Sequence, residues 1–163
     1  MLVVPYSFME RTKDIIENLK AISKTDNVPM QSFAAEVQEL LSTIKYLNKD
    51  TLNYVLNEIK DIIVDFSPIK AALFSIACGS IVEKGADPII ALDCLLRKVI
   101  TILSLAEEFN KACYHAGVPN SSDPYSIIDS VRKKMPLEAK GYDTLDKIYP
   151  AVVTILSKSK KAR

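Results

Sequence analysis

The chain has 163 residues, 48% of them hydrophobic and 25% charged, a balance that suits one folded domain spanning 1–163 and excludes a disordered chain. Lysine and arginine total 21 against 20 acidic residues. Four of the basic groups crowd into a short tail, 158–163, so the body is weakly acidic and offers no basic face for nucleic acid.

The N-terminal stretch Leu2–Met9 is mildly apolar, with a few residues of possible strand character at Leu2–Val4, but it lacks the cationic start and small-residue cleavage site of a secretory signal. Serine and glutamate at Ser7 and Glu10 have capping-box spacing, and a first helix is expected over 7–23 with Ile15, Ile16, Leu19 and Ile22 on its apolar side. A second is expected over 29–47, striped by Phe33, Val37, Leu40, Leu41, Ile44 and Leu47. Asp50 is placed to cap a third, which carries Leu52, Val55, Leu56, Ile59, Ile62 and Ile63 and stops near Phe66.

The fourth helix, 68–84, is apolar nearly all round, the mark of a central position. Its core, Ala71–Val82, runs 12 residues without a charge, whereas a bilayer crossing needs about 20, so no membrane partner is expected. Ala72, Ser75 and Gly79 form a small-residue ridge on it, and an interior glycine implies close helix contact. The fifth helix, 88–116, has Leu92, Leu95, Val99, Ile102, Ala106, Phe109 and Cys113 on one side, with polar residues such as Asp93, Arg97 and Glu108 opposite. A short sixth helix follows over 124–134, ended by Met135-Pro136. The last helical region starts near Tyr142 and contains Pro150, expected to kink or split it.

Punctuation supports this reading. Gly85, Gly117 and Gly141 follow helical patterns, where a left-handed cap is wanted, and Pro29, Pro68, Pro88 and Pro124 stand at helix starts. The fold class is all-α: a compact bundle of about six to seven helices around a central antiparallel hairpin formed by the fourth and fifth.

Few side chains are candidates for chemistry. His115 is the only histidine, and Cys113 two residues before it points to nearly the opposite side of a helix. A last-turn position favoured by the helix dipole accounts for His115. Glu83 draws notice because a negative charge meets the unfavourable end of the dipole there, and Asp87 caps the helix that follows it. Cys78 and Cys94 each lie eight residues from Ala86, so a hairpin turning there sets them at equal height as paired buried thiols or, less simply, as a redox pair. Zinc needs short ligand pairs, which the three cysteines lack. Clustered glycines for phosphate or dinucleotide binding are missing as well. No metal and no cofactor is expected, and reduced thiols fit a cytoplasmic location.

The segment Gly79–Pro88, Gly-Ser-Ile-Val-Glu-Lys-Gly-Ala-Asp-Pro, is similar to stretches of uncharacterised helical proteins of bacteria, as is Tyr149–Arg163. The resemblance implies a bacterial cytosolic protein of unassigned function and carries no catalytic motif. Two function classes follow from the residues. The first is a non-enzymatic protein-interaction module that meets a partner, or a second copy of itself, through a helix surface such as Leu52, Val55 and Ile59 or Val152, Val153 and Ile155, and not through its basic tail. The second is a small-molecule binder or enzyme with a pocket between helices.

Overall fold

The computed structural model describes residues 6–25 and 27–159, with side chains from Met9 onward. The segments 2–4 and 160–163 and the side chain of Ser7, with its capping-box assignment, lie outside the described residues. Among those described there are eight α-helices and no strand. They are α1 (Tyr6–Ser23), α2 (Met30–Thr43), α3 (Lys49–Ile59), α4 (Pro68–Glu83), α5 (Ile89–His115), α6 (Pro124–Lys134), α7 (Pro136–Tyr142) and α8 (Leu145–Lys158). Short 3-10 turns at Ile44–Tyr46 and Asp61–Ile63 extend α2 and α3.

Most boundaries follow the glycine and proline punctuation. Gly85 and Gly117 adopt φ of 115° and 92°, the left-handed region that an L side chain enters only at a cost. Pro68 and Pro124 open their helices, and Asp123 Oδ1 accepts the Ser126 N–H at 3.2 Å. Three boundaries differ from expectation. The cap of α3 is Asn48, whose Oδ1 accepts both the N–H and the hydroxyl of Thr51 at 2.9 Å. Asp50 lies inside the first turn, where its charge still suits the dipole. Met135-Pro136 ends α6 and also starts α7, because proline disfavours a helical residue before it while fitting the first helical position itself. Pro150 does not split α8, which runs through it as one element.

Helix α4 is the central element, with both faces of its small-residue ridge buried. Its most extensive partner is α8, however, and that of α5 is α7; α4 and α5 pack on each other far less. The expected hairpin is thus a turn between two helices that each pair elsewhere. Phe66 stands at the centre of the core, edge-on to Phe33 at 4.8 Å and to Phe74 at 5.1 Å. Leu52, Val55 and Ile59 are fully enclosed, so α3 offers no apolar contact surface there. A smaller cluster joins Phe109, Cys113, Val131 and Ala139, over which Arg132 stacks on Phe109 while bridging to Asp143.

Two glycines mark close approaches, with opposite consequences for substitution. Gly79 faces Ala151, and a Cβ there would sit 3.6 Å from the Ala151 Cα, an ordinary contact. Gly141 is no left-handed cap: it lies inside α7, pressed on α5, where a Cβ would stand 2.6 Å from the Leu105 Cβ and 3.3 Å from the Ile102 carbonyl oxygen. Gly141→Ala is therefore expected to cost about 2 kcal/mol through overpacking. Gly79→Ala should be neutral, or stabilise by up to about 1 kcal/mol through helix propensity. Urea unfolding of the two variants checks the contrast, and equal losses would contradict it.

Candidate functional site

The α4–α8 seam leaves several large apolar side chains uncovered. Because α4 is apolar all round, burying one side against α8 and the core leaves Ile69 and Ile76 facing outward, 40% and 42% exposed. On α8, Tyr149, Pro150 and Val153 lie on the side away from the buried Ile148, Ala151 and Ile155. Tyr149 is 67% exposed and Val153 44%. Grooves flank the seam at two points. One, of about 160 Å³, is formed by Ile76, Gly79 and Glu83 against Pro150, Ala151 and Thr154. The other, of about 650 Å³, lies between Ile69, Tyr142, Leu145 and the charged Asp143, Asp146 and Lys147.

Of the contact residues expected on α8, Val153 reaches this surface while Ile155 is buried in the core, and of the candidate binding residues only Glu83 does. Glu83 lines the smaller groove as the last residue of α4, exposed. Asp87 sits in the next turn with its carboxylate engaged: Oδ1 accepts the Ile89 N–H at 3.0 Å, and its own N–H donates to Asn53 Oδ1 at 2.7 Å. It borders a polar cleft of about 440 Å³ flanked by Lys49 and Lys158. His115 is exposed in the last turn of α5, its ring 5.9 Å from that of Tyr114. It lies at the opposite end of α5 from Asp87, a helix about 40 Å long at 1.5 Å per residue. Glu83, Asp87 and His115 therefore do not make one site.

Cys78 and Cys94 share the main core as free thiols. Burial, and then the neighbouring Cys94, pushes the Cys78 thiol up to about 12. Cys94 donates to Asp61 Oδ1 at 3.2 Å and accepts from Arg97 Nη2 at 3.3 Å. Burial and the Asp61 carboxylate raise its pKa, with Arg97 opposing. Thiolate is the reactive form, so both thiols are held in the inert state at neutral pH. Cys113 is buried on α5, also raised by desolvation. No group of three or more potential metal ligands occurs among the described residues, and none of their helices is long and apolar enough to cross a membrane.

Two buried lysines, Lys70 on α4 and Lys98 on α5, escaped the sequence reading. Lys98 is 6% exposed on α5. Its Nζ donates to the Val64 carbonyl at 3.0 Å and to that of Phe66, so it closes the end of the 3-10 turn Asp61–Ile63. The signal was present: Lys98 falls three residues after Leu95 and four before Ile102, within the apolar stripe. No protein-family model, curated protein or solved structure matches the chain. The residues themselves carry the functional argument.

Proposed function

We propose that the domain is a protein-interaction module whose contact face is the α4–α8 surface, and that a second copy of the chain is its partner. The observation that carries this reading is the exposure of Ile69, Ile76, Tyr149 and Val153 on adjacent helices. Large apolar side chains left uncovered on neighbouring helices mark contact sites. Ile69 and Ile76 are seven residues apart, two turns along one side of α4, and the α8 residues supply a parallel row.

Charge complementarity favours a second copy. Asp146 lies in the first turn of α8 and Lys158 in its last, with the exposed Tyr149, Pro150 and Val153 between them along the helix. Laid antiparallel and centred near Val152, a second α8 brings its Asp146 end beside the Lys158 end of the first while the apolar middles meet. Such a contact is self-complementary about a twofold axis, the commonest symmetry of small oligomers. Apolar burial drives it, and the rim charges set its register more than its affinity.

Light scattering across roughly micromolar to millimolar concentrations is the test. The mass should rise from monomer toward dimer, and Val153→Glu or Ile76→Glu should hold it at monomer with the fold intact, since both side chains face solvent in the monomer. Truncation after Ser159 should change little, because apolar burial and not the basic tail drives the contact. A strict monomer at every concentration, or a dimer indifferent to both glutamates, would overturn the reading.

A further inference from the structure

We infer that Lys98 is a reactive amine at an apolar carbonyl-binding site: its Nζ, held by the carbonyls of Val64 and Phe66 beside a cavity of about 270 Å³, is placed to form an imine with a small apolar aldehyde.

The argument begins with hydrogen-bond capacity. A charged lysine has three N–H donors, whereas the neutral amine has two and a lone pair. Two backbone carbonyls accept from Lys98, matching the two N–H groups of the neutral form and leaving the lone pair for an electrophile. No carboxylate lies within ion-pair distance of Nζ among the described residues. Burial then lowers the pKa of Lys98 from its ordinary value, with Asp65 opposing. A desolvated lysine in an apolar pocket is one recognised form of activated nucleophile.

The cavity specifies the electrophile. Phe66, Pro68, Ile102, Leu105 and Leu137 make its wall mostly apolar, and among the described residues Lys98 is the only cation lining it. Nothing there would hold a phosphate or a second carboxylate, and the volume lies at the low end for ligand sites. A short-chain or aromatic aldehyde fits both conditions. The amine nitrogen attacks the carbonyl carbon, forming the C–N bond, and a proton passes from nitrogen to oxygen to give the carbinolamine. The hydroxyl then leaves as water with the second nitrogen proton, and C=N forms. Asp65, which lines the same cavity, supplies a carboxylate for moving these protons.

The charged surroundings are few. Asp65 favours the ammonium form; Asp61 is engaged by Lys60 and Cys94, and Arg97 by Asp93 and Cys94. From α4 and α7 the cavity receives the uncharged Pro68 and Leu137.

The full chain treated with hexanal and cyanoborohydride at neutral pH provides the experiment. Hydride from the reagent converts each imine to a secondary amine, which peptide mass spectrometry locates. Lys98 should be alkylated severalfold faster than the exposed Lys45 and Lys133, because burial keeps more of it as the neutral amine. Lys98→Arg should remove the fast site and leave the slow ones. If Lys98 in the native chain reacts no faster than Lys133, or only after denaturant is added, it is a charged cap on the Val64 and Phe66 carbonyls and the inference is overturned.

Discussion

Phe66→Ala is expected to lower unfolding stability by about 3–5 kcal/mol, the usual cost of removing a buried aromatic ring. Total stabilities of domains are about 5–15 kcal/mol, so the variant should be close to unfolding at room temperature. The ring is 3% exposed and touches both Phe33 of α2 and Phe74 of α4 edge-on. Edge-to-face contacts add roughly 0.5–1.5 kcal/mol per pair beyond burial. The Phe66 carbonyl also accepts from Lys98, so loss of the ring loosens the segment that anchors the buried amine. Phe66→Leu, which keeps most of the volume, should lose about half as much. Urea titrations of the three proteins decide the matter; an alanine loss below about 1 kcal/mol would mean that the core collapses around the gap.

How far the sequence reached depended on whether the controlling interaction was local. Gly85 and Gly117 were legible because a left-handed φ is a backbone requirement of one residue. Pro124 with Asp123 was legible for the same reason. Gly141 was misread because its role comes from α5 pressing on it, and no local pattern announces that approach. Asn48 rather than Asp50 caps α3 because both are good caps two residues apart, and periodicity fixes boundaries only loosely.

The same limit explains the contact surface. An amphipathic helix declares its buried side, as α5 did: Asp93, Arg97, Thr101, Ser104, Glu108 and Lys111 all emerge on the surface. Helix α4 is apolar all round, so its composition places it at the centre without saying which residues stay uncovered. Ile69 and Ile76 emerge only once α8 has chosen the Gly79 side, where the lack of a side chain lets Ala151 approach. Lys98 lay between these cases. Its place in the stripe was visible in the sequence, but its carbonyl partners come from the Asp61–Ile63 turn and its far side, 32 to 34 residues away.

Cys78 should make the protein sensitive to alkali, and this is the second large effect. Its thiol is fully enclosed by the core, and its pKa rises from the ordinary 9.0 to about 12. Over that window the native state keeps a proton that the unfolded chain releases, so stability falls as pH rises. The contribution is fully present below about pH 9 and is lost by about pH 12. Three pKa units correspond to about 4 kcal/mol. Cys94 and Cys113, also raised, act in the same direction, so Cys78→Ala should remove only the share due to Cys78. At neutral pH this variant should be weaker by about 1 kcal/mol, through the small cavity it leaves. Its alkaline decline should be shallower, and above about pH 10 it should overtake the native protein. Urea midpoints at pH 7, 9 and 10.5 measure both limbs. Parallel pH profiles for the two proteins would show that the Cys78 thiol titrates as freely when folded as when unfolded, and would return it to the list of reactive cysteines.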